Sequence, residues 1–403
     1  MFENVIGHQE TIEELRRELA RGTLPPAILL SGTRYSGKST VALEIARTLT
    51  CRSDGQWGCS CRSCTLHRTL SHPDLVFTGP RYFDLEIAAA LQSYRKTPRP
   101  GTLFLLIRAV RKLVRRFDAH LWPETKLRKI QPSLDAVEEI LQDLEPPPGE
   151  TAPPEESASD KARLKKLETA VAKLIGAVPR EIVPVDLVRA VTSWTHVSSA
   201  GGVKVVLLEE AHTLQESARN SMLKLLEEPP SGVYLVLTSS RRSAIIPTVL
   251  SRLRTYTLSE RPLSEDARVL ERIFRSSGDA PGRLRDFFRQ AGAGDGGRRK
   301  ELAERIVRGA LAGTVDDQLV ETLRTEFSGN NGGIREEFFF EELTEAARRR
   351  LGTADAVESR RLHRWGPLIR SYRSRIESRN MHPAATIIAM VLALQRDRIP
   401  GEV

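Results

Sequence analysis

Four short runs along the chain have an unbroken apolar middle and stop at a polar or glycine-containing turn. They are AILLS (27–31), PDLVFT (73–78), KVVLL (204–208) and VYLVLTSS (233–240). Uninterrupted runs of this length, without polar alternation, predict strands buried on both faces. Helical periodicity follows them. VALEIARTL succeeds the first strand, and VPVDLVRAVTSWTH (183–196) leads into the third. In ARNSMLKLLEEPP, Met222, Leu223, Leu225 and Leu226 describe a helix stopped by Pro229 and Pro230. From about residue 259 the pattern is helical, with GAGDGG (292–297) as a hinge and GNNGG (329–333) as a break between later helices.

About a hundred residues separate the strand at 73–78 from the helix at 183–196, too many for a bare loop. Three amphipathic helices are predicted there. LFLLIRAVRKLVRRF (103–117) aligns Leu106, Val110, Leu113 and Phe117 on one face and carries Arg108, Arg111, Lys112, Arg115 and Arg116 elsewhere. LDAVEEILQDL (134–144) aligns Leu134, Val137, Leu141 and Leu144. KARLKKLETAVAKLIGAV (161–178) aligns Leu164, Leu167, Val171 and Leu174. EPPPGETAPPEESASD (145–160) reads as a Pro/Glu-rich connector. The basic helix is expected to present a solvated charged face, with contact to DNA or to a partner protein as the alternative.

Candidate chemistry begins where the first strand ends. GTRYSGKST is a complete G-x-x-x-x-G-K-S loop between a strand and a helix, the context that a phosphate-binding loop requires. Gly32 and Gly37 let the backbone curl so that N–H groups, including that of Thr33, face a phosphate. Lys38 can reach the β- and γ-phosphates, the Ser39 hydroxyl can ligate Mg²⁺, and Thr40 lies beside it. ATP with Mg²⁺ is therefore the expected cofactor. At the end of KVVLL, Glu209 sits where a carboxylate would hold the metal and Glu210 where one would orient water. Glu in place of the usual first Asp lowers the expectation of turnover more than that of binding. Ser239 and Ser240, at another strand tip, are candidate sensors of the terminal phosphate.

All four cysteines lie in CRSDGQWGCSCRSC. Cys51, Cys59, Cys61 and Cys64 fit a tetrahedral zinc site better than a disulfide framework, with His67 as a substitute ligand. The net charge of +9 permits contact with nucleic acid. A mean hydropathy of −0.31 and the absence of an apolar run of about 18–20 residues argue against a membrane span. MFENVIGHQE shows no basic stretch followed by an apolar one, so a cytoplasmic location is expected.

Together, FENVIGHQE, GTRYSGKST, the cysteine cluster, SHPDL, GGVKVVLLEEAHTL, MLKLLEEPP and PTVLSRL resemble the clamp-loader ATPase-fold subunits of bacterial DNA polymerase III. The resemblance covers residues 1–80 and 180–290 well and the C-terminal third loosely. It implies an α/β AAA+ module, RecA-like with a parallel sheet and a small helical lid, followed by an all-α collar. The corresponding boundaries are 1–84 and 179–258 for the core with its cysteine module at 51–64, 85–178 for the insertion, 259–297 for the lid and 298–403 for the collar. SHPD (71–74), SGDAPGRL (277–284) and SRNMHPAATIIAMVLALQ (378–395) resemble the delta-prime type rather than the gamma/tau motor. The implied partners are gamma/tau and delta subunits in a hetero-pentamer, the sliding clamp and primed-template DNA. Arg252, in Ser251-Arg252-Leu253, matches the motif whose arginine completes a neighbour's ATP site in trans, and Arg283 is the candidate lid sensor. A motor ATPase and a non-hydrolysing scaffold are the competing expectations.

Overall fold

The computed structural model describes residues 1–145, 158–178, 182–199, 201–276, 282–291, 296–327, 336–379 and 381–397. Most of the expected connector at 145–160, the SGDAP part of SGDAPGRL, the hinge at 292–295 and GNNGG lie outside these residues. The chain divides into two compact units, Met1–Phe288 and Arg289–Val403.

The first unit is built on five strands, β1 (Ala27–Gly32), β2 (Leu75–Thr78), β3 (Lys204–Leu208), β4 (Val233–Ser239) and β5 (Arg254–Leu258). All pair in parallel, in the order β2-β3-β4-β1-β5. The interior strand β3, between β2 and β4, is buried along its whole length, which explains its apolar run Val205–Leu208. β5, an edge strand, alternates between exposed and buried positions and shows only a weak apolar run. Helices α1 (Gln9–Arg21), α2 (Lys38–Thr50) and α3 (Arg62–Arg68) come before β2. On one face of the sheet, Ile12 and Leu15 of α1 and Val41, Ile45 and Ala46 of α2 pack against Ile28, Leu30, Leu207 and Val236.

Among the described residues, four helices directly follow β2: α4 (Phe83–Lys96), α5 (Pro100–Val114), α6 (Glu124–Leu144) and α7 (Ala158–Ala177). They share a core of their own around Leu91, Leu106, Val110, Val137, Leu141 and Leu174, so the long interruption folds as a helical subdomain. Its turn at Arg115–Phe117 lies against the edge strand β2 and covers it. α6 starts ten residues before the predicted Leu134 and runs through Pro132, which is exposed, so water can satisfy the carbonyl that the ring leaves unpaired.

Next come α8 (Val185–Thr195), α9 (Glu216–Glu227) and α10 (Pro247–Leu250). Val188, Val191 and Trp194 of α8 pack with Met222 and Leu225 of α9 against the other face of the sheet. α11 (Leu263–Arg272) and α12 (Leu284–Ala291) follow β5. The division between the units falls inside α12, where Phe287 and Phe288 pack on Phe274.

The second unit contains α13 (Gly296–Ala312), α14 (Asp317–Glu326), α15 (Glu336–Leu351), α16 (Ala356–Arg379) and α17 (Pro383–Arg396) around a core that includes the fully buried Trp365. Arg361 reaches from α16 to donate to the carbonyls of Ala310 and Leu311, which end α13 without helical partners. No described helix is long and apolar enough to cross a membrane.

Candidate nucleotide site, exposed arginine and cysteine knuckle

The loop between β1 and α2 needs its glycines for two different reasons. A Cβ at Gly32 would stand 2.2 Å from the Leu258 carbonyl oxygen of the adjacent strand. Gly37 has φ +92°, a conformation that L side chains rarely adopt. No side chain caps α2, so its first N–H groups remain directed at the space where a phosphate would sit. Lys38 is buried and folds back, its Nζ donating to the carbonyls of Gly32 (2.9 Å) and Thr33 (2.7 Å). Burial pushes its pKa down, against the pull of Glu210 and Glu209. Thr33 is exposed and Thr40 half-buried in the first turn of α2.

Two residues that sequence reasoning missed brace this loop. Buried Arg261 donates to the carbonyls of Tyr35 (2.7 Å) and Ile6 (2.9 Å), and His8 Nε2 meets the Ser36 carbonyl at 2.7 Å. The Tyr35 ring stacks on Phe288 of α12 with centroids 4.9 Å apart. The lid candidate Arg283 donates to the Arg261 carbonyl (2.9 Å) and pairs with Glu260 (3.3 Å), so it reaches the loop only through Arg261.

The ends of β2 and β3 come unusually close. A Cβ on Gly79 (φ +97°) would stand 2.2 Å from the Glu209 carbonyl oxygen, and Glu209 N–H donates to the Thr78 carbonyl. This approach sets Arg81 beside the acidic strand. The structure brings Ser39 and Glu209 together as the sequence led us to expect, with the Ser39 hydroxyl on Glu209 Oε1. Both groups also carry cationic partners. Arg81 donates to Glu209 Oε1 and, at 2.8 Å, to Ser39 Oγ, while Arg116 donates to Glu209 Oε2. Glu209 and Arg116 are each only 3% exposed, so neither charge is shared with bulk water. Arg81 also pairs with Glu86 at 2.6 Å, and Glu86 with Lys112. Burial would raise the Glu86 pKa, but Arg81 and Lys112 outweigh it and hold the carboxyl at about 2. Burial pushes Lys112 down to about 8 and Arg116 down to about 10.

Glu210 adopts the left-handed conformation (φ 49°). Its Oε2 accepts from the Ser240 N–H (3.0 Å) and hydroxyl (2.6 Å), and Ser239 Oγ lies 3.1 Å from His212 Nδ1. Against the upward push of burial, Lys38 and the Ser240 hydroxyl lower the Glu210 pKa, so it is held as a carboxylate. The two strand-tip serines thus hold Glu210 and His212.

The basic face of α5 differs from the sequence expectation of a solvated surface. Arg108 donates to the His67 (3.1 Å) and Arg68 (2.6 Å) carbonyls at the end of α3, and Arg115 to those of His72 and Leu75 at the start of β2. Arg111 pairs with Glu145, Lys112 with Glu86 and Arg116 with Glu209. Each of these side chains is committed inside the first unit, because the face docks on carboxylates and free carbonyl ends of the core.

Arg252 stands apart from this network, at the end of α10. Its Nε donates to Glu227 of the LEEPP segment (2.7 Å) and its Nη1 to the Thr248 carbonyl (2.6 Å). The side chain is 32% exposed, and Glu227 is 46% exposed.

The sulfurs of Cys51, Cys59, Cys61 and Cys64 all lie within 4.8 Å of one another, with Cys51 3.7 Å from Cys59 and 3.9 Å from Cys61. Tetrahedral Zn²⁺ with Zn–S bonds of about 2.3 Å places sulfurs about 3.8 Å apart, so the residues fit that ion despite the tight Cys59-Ser60-Cys61 spacing. Arg47 braces the knuckle, donating to Cys64 Sγ (3.0 Å) and to the Gly55 carbonyl (2.6 Å). His67 is outside the cluster. Its Nε2 lies 2.7 Å from Thr50 Oγ1, its ring stacks on His72, and burial pushes its pKa to about 2.

Residues 7–119 and 136–262 match the family model described as DNA polymerase III, delta subunit. A DNA polymerase III subunit delta′ from Pseudomonas aeruginosa is 38% identical over 98 residues, 24% of this chain and 29% of that one. The Escherichia coli subunit delta′ is 35% identical over 97 residues, with the same coverage. A subunit gamma from Buchnera aphidicola is 26% identical over 157 residues, 35% of this chain and 41% of that one. The chain thus spans under a third of the length of the delta′ relatives it matches. With the family model covering more than half of its residues, the chain belongs to the DNA polymerase III clamp-loader subunit family.

Proposed function

We propose that this chain is a delta-prime-type stator of a clamp loader, holding ATP in its own loop while lending Arg252 to the ATP site of a neighbouring gamma/tau-type subunit. The observation that carries this reading is Arg252 itself, about a third exposed beside Ser251 and charge-paired among the described residues with Glu227, an exposed carboxylate. A guanidinium so placed can exchange that partner for phosphate oxygens at little cost, and its planar fork suits them. In this reading the loader opens a sliding clamp and places it on primed DNA, with delta and gamma/tau subunits as neighbours. Arg252→Ala should leave assembly of the reconstituted loader intact and slow its DNA-stimulated ATP hydrolysis; undiminished hydrolysis would refute the finger assignment.

The complete loop, with Lys38, Glu209 and Glu210 in place, favours a motor of the gamma/tau type as the second reading. Steady ATP turnover by the purified chain alone would select it, and binding without turnover the stator. The four cysteines supply a structural Zn²⁺ site in either case. Metal analysis should find one zinc per chain, and Cys64→Ser should lower that stoichiometry; a zinc-free native protein would exclude the site.

A further inference from the structure

We infer that Arg81 and Arg116 serve as the resident cation of this nucleotide site, so that the loop takes a nucleoside triphosphate as the free anion rather than as its Mg²⁺ complex. The inference rests on the reading that the loop holds a nucleotide and specifies the form in which it does so. In a phosphate loop of this kind, the metal ion sits between the hydroxyl after the lysine and the carboxylate at the end of the neighbouring strand. Here those groups are Ser39 and Glu209, and guanidiniums already bridge them. Arg81 donates to both, Arg116 donates to the remaining carboxylate oxygen, and each oxygen of Glu209 therefore has a charged donor. Two guanidiniums bring the same formal charge as one Mg²⁺, and both are protonated at neutral pH.

Displacing them is costly for three reasons visible in the structure. Arg116 is buried against the Phe77 ring, 3.9 Å from its centroid, so losing Glu209 would leave a charge without an anion in a closed site. Arg81 is tied at its other edge to Glu86, which Lys112 holds in turn. Mg²⁺ demands a near-octahedral set of oxygens and gives up water reluctantly, and the first protein oxygens it needs are taken. The helical insertion therefore has an internal role. Its α5 end delivers Arg116, and its Lys112 fixes the carboxylate that orients Arg81. Arg81 is 20% exposed and lies beside Ser39 at the loop, where it can turn an N–H toward a phosphate without leaving Glu209.

The test is calorimetric titration of the full chain with ATP in excess MgCl₂ and in EDTA, repeated with Arg81→Met, together with Mn²⁺ electron paramagnetic resonance in the presence of ATP. The native chain should bind ATP in EDTA as tightly as in Mg²⁺ or more so, within about threefold, and show no protein-bound Mn²⁺. Arg81→Met, which keeps the buried Arg116–Glu209 pair, should lose affinity in EDTA and acquire Mn²⁺ with ATP. An affinity at least about tenfold weaker in EDTA for the native chain overturns the inference and leaves nucleotide holding intact. Arg81→Met that still binds equally in both buffers without Mn²⁺ overturns it too. No binding in either buffer overturns the nucleotide-holding reading, and the inference with it.

Discussion

Arg116–Glu209 and Arg252–Glu227, arginine–glutamate pairs at the two candidate sites, differ in nearly every physical respect. Arg116–Glu209 is sealed inside the first unit, both partners 3% exposed, with Arg81 and Ser39 closing the remaining directions. Arg252–Glu227 lies at the surface, with both partners about a third or more exposed. A buried pair cannot be opened without stranding a charge, whereas an exposed pair is worth little and exchanges readily with water or another anion. The two sites are therefore suited to opposite tasks: the first to remaining as it is, the second to leaving its partner for a phosphate supplied by another subunit.

Matched substitutions break the contrast most strongly. Glu209→Ala strands the buried Arg116, leaving Arg81 with Glu86, and should cost about 3–5 kcal/mol in urea unfolding. Glu227→Ala should change stability by only about 0.2–1 kcal/mol in the same assay, and should leave Arg252 freer. Equal losses at the two positions would remove the distinction between a fixed and an available arginine. Acid titration separates the regions next. Glu86 has its pKa depressed to about 2 in the fold, so its stabilising contribution is present above its unfolded value near 4.5 and is lost as pH falls from there toward 2. Thermal unfolding followed across that window should show a slope that Glu86→Gln reduces; an unaltered slope would contradict the buried Arg81–Glu86–Lys112 network.

The sheet was largely legible from sequence because β1, β2, β3 and β4 are buried enough to be written as unbroken apolar runs. The glycine loop was legible because its backbone geometry restricts residue choice at Gly32 and Gly37. The helices of the insertion were visible in outline, but the destination of the basic face was not. A row of Arg and Lys on an amphipathic helix looks the same whether it meets water or carboxylates, and Arg116 meets Glu209 across 93 residues of chain. Arg81 and Arg261 escaped notice for a related reason. Neither belongs to a motif, and each acquires its role from a close backbone approach: Gly79 against Glu209 for Arg81, and Tyr35 and Ile6 together for Arg261. The signal that could have flagged Arg81 is GPR directly after a buried strand, since Gly79 lets that strand's end press against its neighbour.

The contrast is tested most directly by DNA-stimulated ATP hydrolysis of a loader reconstituted with gamma/tau and delta subunits, comparing Arg252→Ala and Lys38→Ala in this chain. A trans-acting arginine can be worth about 10³-fold at the site it completes, diluted here by the loader's other sites. Arg252→Ala should therefore lower the rate several-fold, while Lys38→Ala should leave it near the native value. A rate that falls with Lys38→Ala and survives Arg252→Ala would show that the chain works through its own nucleotide, and would contradict the account.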